Sequence, residues 1–347
     1  MNDDKSKMIG LQSIEFIKPP YIIAEGSIVG KKEGEGPLGL YFDKIEEDSF
    51  LGKGTWEEAE SELMRQAVKI VMEKSGLKKE DVRYLIGGDL LSQLIATSFG
   101  IEEFDIPLFG IYGACSTMGE AISIGAILVE GGFADKVLAI TSSHYASAEK
   151  QFRFPLNYAN QRPSCASWTV TGSGAVIISK DKPESNEEVK IIIRGITTGK
   201  VVDYGIKDAM NMGAAMAPAA YETIYQNFKD FAIEPDYYDK IITGDLGAVG
   251  KDILNDLLKE KGYDASEQLM DCGVEIYNAE QQDTHAGGSG CGCSAATFSS
   301  YIIKQLKDQS WKRVLFVPTG ALLSPVSFNI GNAVPGIAHA VMVESVE

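Results

Sequence analysis

Four stretches of this chain recur in the same order in its second half. That duplication constrains the fold more than any other feature, because similarity at a fixed spacing marks repeated structural units. Residues 21–31 read YIIAEGSIVGK and residues 190–200 read KIIIRGITTGK, so Gly26, Gly30 and Lys31 fall on Gly195, Gly199 and Lys200, an offset of 169. YLIGGDL (84–90) matches KIITGDL (240–246), which sets Asp89 on Asp245, an offset of 156. Cys115 followed by a helical pattern and VLAITSS (137–143) matches the Cys291 region followed by VLFVPTG (314–320), an offset of 177 on the strands. AVIIS (175–179) matches AVMVE (340–344). The change in offset places an insertion in the second copy, between Asp245 and Cys291.

Each half alternates short β-branched runs with amphipathic helical patterns, which reads as βαβ units around a mostly parallel sheet. Residues 1–180 and 189–347 are therefore expected to form two similar α/β halves. The polar, proline-bearing KDKPESNEE (180–188) is the expected linker. Two such halves packed through their helices would bring the loops at the carboxyl ends of their strands to one cleft. Thr55 and Glu58 form a capping box for a helix with Leu63, Ala67, Ile70 and Val71 on one face and Gly76 as its stop. Its counterpart has Pro218 near the first turn, then Tyr221, Ile224, Phe228 and Phe231.

Composition narrows the function classes. Of 347 residues, 44 % are apolar and 23 % charged, as in ordinary folded proteins. The net charge of −17 repels phosphate backbones and disfavours unaided binding to an anionic membrane, so nucleic acid is not an expected partner. Five scattered cysteines and a polar start, MNDDKSKMIG, point to a reducing, cytoplasmic location. The longest near-apolar run, residues 121–129, is far short of the ~20 residues a spanning helix needs. Contact with a membrane is therefore expected only through partners.

Candidate chemistry gathers at strand ends. Cys115 follows an apolar run and Gly113–Ala114, and a helix of small residues beginning with Ser116 comes after it. A helix N-terminus favours a thiolate; the alternative is a small buried apolar residue. His285 opens THAGGSGCGCSA, whose Gly287, Gly288, Gly290 and Gly292 allow close backbone approach. The helix expected over 294–306 would aim its amides at a carboxylate in the cleft. His285 reads equally as a hydrogen-bonded structural histidine. The cysteines around it lack the spacing of a zinc site. Asp89 and Asp245 each end an apolar run at a Gly-Asp-Leu turn. Either they serve as turn residues, or they line the cleft and manage a proton or a cation. Residues 144–161 are aromatic and basic against an acidic average. They carry His144, Lys150 and Arg153, and Arg153 suits bidentate capture of a carboxylate; a plain surface or subunit-contact loop is the other reading.

These motifs together resemble the thiolase-like superfamily of thiolases and ketoacyl-synthase condensing enzymes. The resemblance implies a duplicated, five-layered αβαβα fold, usually dimeric. Cys115 matches the family nucleophile, and the His285 loop looks like the second-half His or Asn motif. The chain departs from the ketoacyl synthase III type at TGDLGAVG (243–250), where those enzymes carry a histidine and this chain carries Asp245. GPLGLYFDK, GACSTMGE, TSSHYASAEKQFRFP, HAGGSGCGCSA and PTGALLSP resemble, more specifically, the stage V sporulation protein AD family of endospore-forming bacteria. That resemblance implies a binding protein rather than an enzyme. Its ligand would be dipicolinate (pyridine-2,6-dicarboxylate) or its calcium chelate, taken up into the developing spore. It would work as a homodimer with other subunits of the dipicolinate channel, peripheral to the spore inner membrane. No cofactor is expected beyond calcium arriving with the ligand. The ligand-binding residues would be Cys115, Ser116, Asp89, Asp245, His285, Gly288, Arg153 and His144. The alternative is an acyltransferase or condensing enzyme that uses Cys115 and His285.

Overall fold

The structure, a computed structural model, describes residues 7–152, 156–158, 161–183 and 189–347. Ten strands build its centre. The first half supplies β1 (Tyr21–Gly30), β2 (Tyr84–Gly88), β3 (Leu108–Gly110), β4 (Lys136–Ser143) and β5 (Gly172–Ser179). The second supplies β6 (Lys190–Thr197), β7 (Lys240–Thr243), β8 (Leu269–Asp271), β9 (Arg313–Val317) and β10 (Ala340–Val346). Their spatial orders, β1-β5-β4-β2-β3 and β6-β10-β9-β7-β8, are the same path walked twice. The directions repeat too: the first two neighbour pairs are antiparallel and the last two parallel in each half. β1 and β6 meet through Tyr21 and Ile22 opposite Ile192 and Ile191, which joins the two sheets edge to edge.

The ladders test the sequence matches rung by rung. Tyr84 lies opposite Val137, and Lys240 opposite Val314. Val137 in turn lies opposite Ile178, and Val314 opposite Val343. These pairs keep the expected correspondences. The first match slips. Ala24 opposes Ile177 where Gly195 opposes Met342, so the ladder offset between β1 and β6 is 171, not 169. Two residues are one full pleat, so a slip of that size leaves every side chain on its face. The apolar pattern alone does not detect it.

Helices cover both faces of each sheet. α1 (Trp56–Ser75) begins with the Thr55–Glu58 capping box and ends at Gly76 in the left-handed conformation, φ 66°. It packs Leu63, Met64, Ala67 and Val71 against Ile28, Leu85 and Ile177. On the far side of the second half, α4 (Met212–Phe231) packs Tyr221, Ile224 and Phe228 against Ile241 and Leu315, with α5 (Gly247–Glu260) beside it. It starts earlier than Pro218 suggested, capped by the Asn211 side chain on Ala214 N, so Pro218 lies inside it. Between the sheets run α2 (Thr117–Glu130) and α6 (Cys291–Thr297). The latter continues through one wide π turn, Phe298–Ile302, into Ile303–Lys307. Met118, Ile122, Phe298 and Ile302 there meet Val176, Phe316 and Val341 from both sheets. The result is helix, sheet, helix, sheet, helix: five layers, with one apolar cluster through the central helices and both sheets and one under the outer helices of each half. β5 is buried along its whole length, as a strand covered on both faces must be.

Candidate functional site

The turn between β3 and α2 is strained in a way that aims one side chain. Ala114 holds φ 49°, a conformation most residues avoid. Ser116 N and Thr117 N donate back to Gly113 O and Ala114 O, and Cys115 is left at the head of α2. Gly320 presses on this turn: a Cβ there would stand 2.1 Å from Gly113 O, so no larger residue fits.

Cys115 lines a narrow cavity between the halves with Leu90, Tyr112, Ala114, Ala148, Phe152, Thr169, Ala321 and Leu323; Glu149, Met212 and Ser289 complete its wall. Glu149 and Phe152 come from α3 (Tyr145–Phe152), and Glu149 Oε1 accepts from Thr169 Oγ1 at 3.0 Å. The free volume is about 40 Å³, within about 450 Å³ of non-atom space that reaches the surface. At roughly 10–15 Å³ per water, the free volume suits about three water molecules. Phe152, Met212 and Leu323 are the partly exposed apolar residues of this wall.

Behind Cys115 stands Asp245, 1 % exposed. Its Oδ2 accepts from Gly290 N at 2.8 Å and Ser289 Oγ at 3.3 Å. Its Oδ1 has no hydrogen-bond partner among the described residues. The Cys115 thiol is its neighbour. Burial first, then Asp271, lifts the Asp245 pKa from 3.8 to about 7, against the Cys115 thiol beside it and the hydrogen bonds from Gly290 and Ser289. Burial first, then Asp245, pushes the Cys115 thiol well above its ordinary value, and the Gly290 amide opposes this weakly. The α2 N-terminus was expected to favour a thiolate; desolvation and a carboxyl neighbour outweigh it, and the thiol stays protonated.

The other expected site residues go elsewhere. Asp89 is a turn residue: its carboxylate accepts from Leu91 N, Thr97 N and Thr97 Oγ1 at 2.6–2.8 Å. Ser116 Oγ donates to Gly113 O. Gly288 pairs with Trp168 in a two-residue bridge. His144 Nε2 meets Ser49 O, and its ring lines a separate surface groove with Trp56, Tyr145 and Trp168. His285 bonds Pro163 O through Nδ1 and Asp283 Oδ1 through Nε2, and it pins a loop at the surface. Arg153 lies outside the described residues. His339 is buried, accepts from Gly199 N and has its pKa lowered to about 4 by desolvation. No histidine therefore lines the Cys115 cavity among the described residues. Nor do three or more His, Cys, Asp or Glu side chains form a metal-binding group there.

Comparison with known proteins adds a family and a fold. Residues 10–344 match the family described as Stage V sporulation protein AD. Stage V sporulation protein AD of Bacillus subtilis is 45 % identical over 338 residues, covering 97 % of this chain and 98 % of that protein. Among solved structures, OleA of Xanthomonas campestris superposes with a TM-score of 0.61 at 12 % identity, covering 100 % of this chain and 99 % of that one. 3-Oxoacyl-[acyl-carrier-protein] synthase III from Aquifex aeolicus gives 0.54 at 15 % identity over 94 % of this chain and 99 % of that one. Acat5 thiolase from Ascaris suum, in complex with coenzyme A, gives 0.54 at 12 % identity over 94 % and 100 %. At these identities the likeness is one of fold.

Proposed function

The chain belongs to the stage V sporulation protein AD family, and from that premise we propose that its cavity binds dipicolinate and does not turn over acyl substrates. One observation carries the second half of this reading: the buried Cys115 thiol has the acid Asp245 as its neighbour and no histidine beside it among the described residues. Nucleophilic catalysis needs the thiolate, and burial together with a negative charge on Asp245 disfavours it. The same carboxyl would repel a developing oxyanion.

The cavity's make-up supports the binding half. A flat aromatic diacid asks for apolar walls and a few hydrogen-bond donors. Leu90, Ala148, Phe152 and Leu323 give the first; the Tyr112 hydroxyl gives the second, since the Thr169 and Ser289 hydroxyls donate to Glu149 and Asp245. Entry requires Phe152, Met212 and Leu323 to swing outward, because the free volume is smaller than the ligand. The protein would act as a homodimer with other subunits of the dipicolinate channel. It would be held at the spore inner membrane by them, since no helix among the described residues is long and apolar enough to cross a membrane.

Titration calorimetry with sodium dipicolinate, with and without calcium, tests binding; incubation with acyl-CoA followed by mass spectrometry tests chemistry. Saturable heat without an acyl adduct is expected. Cys115→Ala should change affinity by no more than about 1 kcal/mol, the scale of a small lost contact. An acyl group on Cys115 that a second acyl substrate releases would establish a transferase instead.

A further inference from the structure

Asp245 has one saturated oxygen and one open one. Oδ2 is fixed by Gly290 N and Ser289 Oγ. Oδ1 is buried and has no hydrogen-bond partner among the described residues, and the carboxyl stands behind two residues that line the cavity, Ser289, which donates to it, and Cys115. The groups facing this carboxyl are Cys115 ahead of α2, Asp271 on β8, Cys272 next to it, and Cys291 and Cys293 on α6. None is a cation, and burial keeps all four thiols protonated. Asp271 takes four hydrogen bonds, from Thr243 Oγ1, Leu246 N, Gly247 N and Val274 N. Asp245 takes fewer, so a proton shared between the two acids settles on Asp245, at Oδ1.

That position sets the polarity of the cavity floor. With Asp245 ionised, a negative charge stands behind the cavity floor and draws the Cys115 S–H toward itself and away from the cavity. With Asp245 protonated, its O–H donates to sulfur, and the S–H turns into the cavity beside Ser289 Oγ. Only the second state welcomes a carboxylate. We infer that Asp245 takes up a proton when an anionic ligand fills the cavity, so that ligand and proton bind as one unit. Asp245 is a positioning residue, acting through Cys115, and the inference rests on the dipicolinate-binding reading above.

The test is calorimetry with sodium dipicolinate, free of calcium, between about pH 6 and pH 8.5, in buffers of different ionisation enthalpy. The dissociation constant should rise toward about tenfold per pH unit above about pH 7, as one linked proton requires. The buffer dependence should show uptake approaching one proton per ligand at the alkaline end. Asp245→Asn, which carries its donor permanently, should bind with little pH dependence. A pH-independent dissociation constant in the wild type, or an unchanged slope in Asp245→Asn, overturns the inference and leaves the binding function standing. No heat at any pH overturns the binding function itself, and this inference with it.

Discussion

Replacing Asp245 by Asn keeps an oxygen for Gly290 N and puts an amide where the carboxyl needs a proton. The consequence for stability has a definite sign. Burial raises this carboxyl from 3.8 to about 7 in the folded chain. The folded state therefore binds the proton more tightly than the unfolded one. The stability this gives is complete below the unfolded pKa and is lost as pH rises through the folded one. Between about pH 4 and pH 8 the wild type should lose up to about 4 kcal/mol relative to Asp245→Asn, at about 1.4 kcal/mol per pK unit. Urea unfolding of both proteins at the two pH values measures it; parallel pH profiles would refute the buried, proton-bearing Asp245. Cys115 and Asp245 were legible in the sequence because strand ends and Gly-Asp-Leu turns are local signals. Glu149 and Met212 were not, because Glu149 is placed by Thr169, 20 residues away, and Met212 by packing across the halves. His285 misled for the same reason: its glycine-rich surroundings look like a site, but its bond to Pro163 O spans 122 residues.

Among elements, α1 was readable end to end, since a capping box and a left-handed glycine are local chemistry. The start of α4 was not, because Asn211 is a weaker sign than Pro218. The two-residue slip of β6 against β1 was invisible because it preserves facing. Gly174 shows its purpose only in three dimensions. A Cβ there would sit 2.2 Å from Ala295 O and 2.7 Å from Ala296 N. β5 of one half and α6 of the other thus touch backbone to backbone, and α6 directly follows Ser289 and Gly290, which donate to Asp245. Gly174→Ala should cost about 1–3 kcal/mol by overpacking, a fall of roughly 2–4 °C in melting temperature per kcal/mol at this size. An unchanged melting temperature would mean that the two elements are not in contact.

At the scale of the whole molecule, the duplication is broken at the sheet edges. β8 and β3 are counterparts, yet Met270 and Asp271 of β8 are buried while all of β3 is exposed. Among the described residues β3 pairs only with β2, so its outer N–H and C=O groups lack strand partners. Leu108 is 39 % exposed, Phe109 46 % and the nearby Tyr112 46 %. A bare edge with apolar side chains invites another strand, and a second copy offers one with a matching surface related by a twofold axis. Tyr112 also lines the Cys115 cavity, so pairing at this edge would steady the cavity wall. The opposing force is charge: two chains of −17 repel, and salt screens that repulsion with a Debye length near 10 Å at about 0.1 M. Light scattering should therefore give twice the 37.5 kDa chain mass, with dissociation on dilution that weakens as salt is added. Leu108→Asp with Phe109→Asp should give a folded monomer. A wild type that stays monomeric at about 50 µM in about 0.5 M salt, where the repulsion is screened to within a few Å, would assign the bare β3 edge to a different partner.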